Sequence, residues 1–404
     1  MCEPFSLLVL QLVNPDARAR LTGEWTPVTN RSAPGAFVHA RRVEVPGEEA
    51  AEACFRLGWS DGLPVVPPTP ALVDKMIGDR DPALVLGAVP PAKGVASVEK
   101  VAANAVMAGC LPDYFPVVEA ILRALLDPVF NLAGVQATTH LASPIAVVSG
   151  PVGDRLGINA GSSLFGPGCR ANATIGRAVA LTLWNLGGAR PGVSNMSTFG
   201  NPLRYGACIG ERRDVSGWPP LQTVRGFPAE VSTVTVYAGE APKSIVGSQY
   251  PEGILETIAD CMRTLAAANM HLQGEMLLVL GVEHARALAG AGWDRATVQR
   301  YLHEHARRSV GEFRDLRTYE TEVWQRFWPD WVDPHDRDAR VPVARTPEEI
   351  LVTVGGGDVG RFSVCCPGWG SGTRAVTVAV DDPAATGRLE VDEVDEVDEV
   401  DGRT

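Results

Sequence analysis

No run of about 18 apolar residues occurs in this 404-residue chain, which argues against a membrane-spanning helix. The opening stretch MCEPFSLLVLQLVNPDARAR has a short apolar patch but neither a basic start nor an A-x-A cleavage site. It therefore does not read as a secretory leader. The eight cysteines form no C-x-x-C pair and no zinc-ribbon spacing, a pattern expected of free thiols in a reducing cytoplasm. An excess of basic charge is also missing. Of the formal charge of −12, residues 381–404 supply −8, from ten acids against two arginines, leaving −4 for residues 1–380. A body so nearly balanced offers no surface for nucleic acid, and no membrane partner is expected either.

What the chain has in quantity is glycine and proline, 42 and 31 residues, gathered in loops rather than in a repeat. Residues 1–50 read as an irregular segment. Residues 51–380 read as an α/β catalytic body, with two lobes at 51–230 and 231–380 as one division of it. The three-residue acidic repeat LEVDEVDEVDEVDGRT ends a tail, 381–404, expected to be disordered. Within the body, helical patterns cover 48–58, 70–77, 97–109, 113–126, 171–186, 254–269 and 294–309. Strand patterns cover 144–149, 232–239, 276–281 and 350–354. Strands alternating with helices predict an α/β fold with a mainly parallel sheet, helices on both faces and long glycine-rich loops. The Trp-, Asp- and Pro-rich stretch from Asp315 to Arg345 reads as a surface excursion or lid.

The segment SSLFGPGCRANATIGRA, 162–178, delivers a glycine loop to a helix start. Unpaired N–H groups and the helix dipole favour an anion there. Gly166 and Gly168 would bring the backbone close, Asn172 and Thr174 could cap or donate, and Arg170 and Arg177 could add charged hydrogen bonds. The loop is neither G-x-G-x-x-G nor G-x-x-x-x-G-K-[ST], so no nucleotide or other cofactor is assigned. A second loop, 185–211, is dense in small polar residues and offers Ser197, Thr198, Arg204 and Tyr205 as substrate contacts, with Glu211 at its end. Cys110 and Cys169 each precede a helix start, where the dipole lowers a thiol pKa. Cys261 falls in an apolar helical pattern and reads as core, and the adjacent Cys365 and Cys366 read as buried. His284, with Glu283 before it, stands at a strand-to-helix turn, and His140 just ahead of a strand; both could move protons. H-E-x-x-H and H-x-H spacings are missing at these histidines, and no metal ligand set is assigned.

The segments DGLPVVPPTP, NAVMAGCLPDYFPVV, FGPGCRANATIGRA, the 191–211 loop, LGVEHA…AGW and VTVGGG together resemble a bacterial family associated with UGSC-type selenoproteins and thiol proteins. The resemblance spans roughly residues 55–375. It implies thiol-redox chemistry and carries no established mechanism. The UGSC tetrapeptide and its cysteine form are absent here. Asn201-Pro202-Leu203-Arg204 stands where a proline–glycine–lysine run is expected, which implies an altered substrate or a pathway-specific role.

The expectation is an enzyme acting on a small anionic substrate, with Cys110 or Cys169 as nucleophile or redox thiol and His284 or His140 moving protons. Two alternatives stay open. One is a metal- or acid–base-dependent hydrolase or lyase using His140, His284 and Glu283. The other is a non-catalytic subunit whose acidic tail docks a partner. The apolar helices near 171–186 and 254–269 are compatible with a homo-oligomer.

Overall fold

The computed structural model describes residues 4–9, 38–46, 49–265, 267–316, 325–370 and 372–381. In chain order, β1 (Pro4–Val9) pairs with β2 (Arg41–Pro46), and α1 (Ala50–Arg56) and α2 (Pro70–Ile77) follow. The hairpin β3 (Val85–Val89) and β4 (Gly94–Ser97) leads to α3 (Val98–Ala108), α4 (Phe115–Leu126) and α5 (Leu132–Ala137). Next come β5 (Ser143–Ser149), α6 (Pro151–Arg155), α7 (Arg170–Asn185), β6 (Cys208–Gly210), α8 (Leu221–Val224) and β7 (Thr233–Gly239). The chain continues through β8 (Lys243–Val246), α9 (Pro251–Met262), α10 (Ala268–Leu272), β9 (Met276–Leu280), α11 (Val282–Gly290) and α12 (Arg295–His305). It ends with β10 (Arg307–Ser309), α13 (Val310–Asp315), β11 (Arg340–Pro342), β12 (Ile350–Val354), β13 (Phe362–Cys366) and β14 (Val376–Ala379).

Two four-stranded sheets organise these elements, in the orders β14-β7-β5-β6 and β12-β9-β13-β8. They share one scheme. A strand (β5 or β9) pairs parallel with the next strand of its sheet (β6 or β12) and antiparallel with the third (β7 or β13). The fourth strand comes from the other half. After β7 the chain crosses to add β8 beside β13, and after β13 it crosses back to add β14 beside β7. The molecule is therefore an internal structural repeat with a reciprocal exchange of edge strands, although no repeat is visible in the sequence.

Alternating side chains sort these strands into three cores. In β5, Ala146 and Val148 face α3, α4 and α7, whereas Ile145 and Val147 face the other sheet. In β9, Met276, Leu278 and Leu280 face α9, α11 and α12, whereas Leu277 and Val279 face the first sheet. The layers run helix, sheet, sheet, helix. Strands buried on both faces read as continuous apolar runs, as PIAVVS and MLLVL do.

The α/β class expected from the sequence is present, but the sheets are mixed rather than mainly parallel. Each carries helices on one face only, because its other face packs on the second sheet. The short connections explain the difference. Residues 355–361 join β12 to β13 within one sheet, too few for the helical crossover that parallel strands need, and residues 240–242 carry the chain from β7 straight into the other sheet as β8. The expected helix 254–269 is two helices, since α9 ends at Met262 and Thr264 Oγ1 donates to Cys261 O over 2.7 Å. Ser97 does not cap α3; its hydroxyl donates to Val38 O over 2.7 Å. Within the Asp315–Arg345 stretch, Trp328, Val332, Val341 and Val343 are buried in the second core, so these residues are not a surface excursion. Part of that stretch, 317–324, most of the N-terminal segment, and the tail from 382 lie outside the described residues. Among the described residues no helix is long and apolar enough to cross a membrane.

Candidate functional site

Helix α7 is the element around which the predicted residues gather. Its N-cap, Cys169, makes no side-chain cap bond, and its thiol instead donates to Gly157 O over 3.2 Å. The loop leading to it is clamped by two asparagines. Asn159 N donates to Asn172 Oδ1 over 2.7 Å, and Asn172 Nδ2 returns a bond to Asn159 O over 2.9 Å. Arg170 Nε and Nη2 both donate to Gly109 O, at 3.1 and 2.9 Å, tying α7 to the end of α3 beside Cys110. Arg177 grips Asp61 through Nε and Nη2, at 3.0 and 2.8 Å, and also donates to Pro64 O and Leu63 O. Thr174 Oγ1 donates back to Arg170 O within the helix. Both arginines expected to hold an anion thus bind backbone or a carboxylate of this chain.

An open cleft of about 510 Å³ lies at the N-terminus of α7, lined by Tyr114, Asn159, Ser162, Gly168, Cys169 and Arg170 among others. Cys169 is half-buried on its wall. Cys110 is close by but buried, and burial pushes its thiol up to about 12 against the Thr174 hydroxyl and the Arg170 charge. The helix-start argument that would lower it is outweighed by desolvation. Cys208 in β6 is buried too and pushed up, first by burial and then by the neighbouring Cys110 and Cys169.

A second cavity, about 470 Å³, opens on the flank of α7, between that helix, β5 and residues 189–207. Here the expected long loop has internal order. Asn201 Oδ1 accepts from Leu203 N and caps a 3₁₀ turn, Pro202–Tyr205, while its Nδ2 donates to Leu141 O over 2.8 Å. Thr198 N donates to Thr139 O over 2.9 Å, and Ser197 Oγ accepts from Gly200 N. The loop returns against α7 at Gly206 (φ +139), where a Cβ would stand 2.4 Å from Arg177 N.

The cavity wall is mostly apolar, with Val179, Leu183 and Trp184 from α7 and Pro144 and Ile145 from β5. Three of its groups are polar in a telling way. Arg204 Nε donates to Ala142 O and its Nη2 to Val135 O, both at 3.0 Å. Burial lowers its pKa, and no carboxylate pairs with it among the described residues. Gln136, the neighbour of Val135, is only 3 % exposed, and its Nε2 has no hydrogen-bond partner. Among the described residues, Asp61, already held by Arg177, is the one carboxylate on the lining.

A third cavity, about 370 Å³, lies beyond β9 and β12 and includes Gly166 with Gly281, Gly355 and Ser363. The expected substrate residues are therefore divided. Gly168 and Arg170 line the α7 cleft, Arg204 and Tyr205 the flank cavity, and Gly166 the third. Asn172, Thr174, Arg177, Ser197 and Thr198 line none of the three.

The histidines stand apart from one another. His140 Nε2 meets Glu240 Oε1 at 2.9 Å, and its buried Nδ1 has no partner. His284 lies on the helix side of the second sheet, with Nδ1 2.7 Å from Ser363 Oγ. Its Nε2 is orphaned against Gly247, and burial lowers its pKa. Glu283 Oε2 accepts from Gly360 N over 2.8 Å. Among the described residues no group of three or more His, Cys, Asp or Glu side chains is placed to hold a metal ion.

Sequence reasoning missed Gln136, Asp61 and Trp184. The signal for Gln136 was a lone polar amide inside the small-residue helix LAGVQA. Family models, curated proteins and solved structures yield no match to this chain.

Proposed function

We propose that this protein acts on a small carboxylate with an apolar body, taken into the cavity on the flank of α7. The observation that carries this reading is Arg204, a guanidinium lowered by burial, bonded only to carbonyls and set beside an unpartnered buried amide. A buried donor without a partner costs about 1–3 kcal/mol, so a ligand oxygen that accepts from Gln136 recovers that loss. A carboxylate would also meet Arg204 in a poorly hydrated site, where a charged hydrogen bond is strong. The apolar wall supplies the remaining affinity, as is usual for metabolite cavities. The anionic substrate expected from the sequence is retained in this reading, with its site moved from the N-terminus of α7 to its side.

The test is calorimetric titration with hexanoate, phenylacetate and indole-3-acetate, each against its uncharged amide. The reading expects at least one acid to bind tenfold or more tighter than its amide, and Arg204→Gln to erase the difference. Acids and amides binding alike, or binding unchanged in Arg204→Gln, contradicts it.

A second reading, thiol chemistry at Cys169, is favoured by one observation. Cys169 is the cysteine on the wall of the α7 cleft, beside Arg170 and Tyr114. It expects iodoacetamide to label Cys169 well before Cys110 in the native protein. Equal or reversed rates argue against it.

A further inference from the structure

In the second half of the molecule, α9 lies across β8 and β13. Cys261 sits in the last turn of α9, and Cys365 points from β13 toward the same helix layer. Their sulfurs are 3.7 Å apart. A disulfide is about 2.05 Å long, so the two need only a small approach, without a change of fold. Lys243 is the direct cross-strand partner of Cys365. Its ammonium donates to Thr264 Oγ1 over 2.7 Å and to Cys261 O over 3.4 Å, on the helix turn that carries the Cys261 thiol.

The two thiols differ in access. Cys261 is half-buried, whereas Cys365 is 0 % exposed. The bond from the Cys365 thiol, together with the Lys243 charge, lowers the Cys261 pKa, while that same pairing and burial raise that of Cys365. A half-exposed thiolate beside a buried thiol and an ammonium group divides the roles of attacking and resolving sulfur.

We propose that Cys261 and Cys365 form a peroxide-reactive dithiol, in which hydrogen peroxide converts the pair to an intramolecular disulfide. The Cys261 thiolate attacks one peroxide oxygen and the O–O bond breaks. The departing hydroxide takes a proton and leaves as water, and Cys261 becomes a sulfenic acid. The Cys365 sulfur then attacks Cys261, the S–O bond breaks, and the hydroxyl leaves as a second water with the Cys365 proton. Two thiols and one peroxide give one disulfide and two waters. A small oxidant suits a half-buried sulfur, where a bulky disulfide would not reach. The product staples α9 to β13, apart from the cavity on α7, so its outcome is independent of the carboxylate reading.

The experiment treats the full chain with equimolar hydrogen peroxide, blocks remaining thiols with N-ethylmaleimide and maps peptides without reduction. The expected product is a cross-link between Cys261 and Cys365 that dithiothreitol reverses. In Cys365→Ser, Cys261 should instead be trapped by dimedone as the sulfenic acid, and in Cys261→Ser, Cys365 should stay reduced. Lys243 is exposed, so Lys243→Met keeps the fold and both thiols; it should oxidise severalfold more slowly at pH 7. The proposal is overturned if another cysteine oxidises first, if Cys261 passes to sulfinic acid without a cross-link, or if the cross-link joins Cys261 to any other sulfur.

Discussion

Arg204 donates to the carbonyl of Val135, and the very next residue, Gln136, lines the same cavity with its buried Nε2 unpartnered. One short helix, α5, thus anchors the cation with its backbone and supplies the free donor with its side chain. Gln136→Leu separates function from stability at this point. It should raise stability by about 1 kcal/mol, because a buried unsatisfied donor disappears. It should also weaken carboxylate binding several-fold. Urea melts and calorimetry on one variant check both; a loss of stability would mean that the Gln136 amide is satisfied.

The buried carboxylate of Glu211 joins the two halves. It accepts from Leu221 N and from Thr353 Oγ1 at 3.2 Å, contacts the Ser149 hydroxyl, and faces Arg295 Nη2 at 3.4 Å. Its side chain is 1 % exposed and that of Arg295 7 %. Removing one partner of such a pair costs about 3–5 kcal/mol, because the other charge stays buried. Glu211→Leu should destabilise by that order, and Glu211→Leu with Arg295→Leu should recover part of it. Additive losses in a urea-melt double-mutant cycle would refute the coupling.

Glu275 makes stability depend on pH. Burial pushes its carboxyl from 4.5 up to about 7, against a bond from Ala375 N and the charges of Arg374 and Arg225. The folded protein then keeps a proton that the unfolded chain releases above about pH 4.5. This contribution is fully present below pH 4.5, is lost as pH rises toward 7, and is level above it. Glu275→Gln keeps an acceptor for Ala375 and cannot ionise. It should match the wild type at pH 4.5 and exceed it by up to about 3 kcal/mol at pH 8. Parallel stability curves across that range would rule this out.

Gly206 lets the 189–207 loop touch α7. A side chain there meets the helix backbone and a left-handed φ at once. Gly206→Ala should lift the loop, cost about 2 kcal/mol or more, and abolish the acid preference of the cavity. Wild-type affinity in this variant would show that loop closure is not needed.

The sequence made the helices and the doubly buried strands legible, because PIAVVS, MLLVL and the α7 pattern carry their periodicity locally. The pairing of strands was not legible. β6 and β8 are only CIG and KSIV, too short to announce themselves, and the exchange of β8 and β14 between sheets depends on contacts far apart in the chain. The same limit held at the sites. Arg204 was a candidate from its loop, and its backbone clamp leaves it free of any carboxylate among the described residues. Arg177 looked equivalent to it in sequence, yet Asp61, brought in by folding, pairs with it; Arg170 is held by a backbone carbonyl as Arg204 is, but stands exposed in the open cleft. Cys261 and Cys365 are separated by more than a hundred positions, and only the packing of α9 on β13 makes them a pair.

The most direct measurement is the side-chain amide resonance of Gln136 in the ¹⁵N-labelled protein, assigned by its loss in Gln136→Leu. Titration with the tightest-binding acid should move this resonance downfield and saturate with the calorimetric affinity, while the matched amide leaves it nearly unmoved. If the acid binds and the Gln136 resonance stays in place, the carboxylate is held elsewhere and the cavity on α7 is not its site.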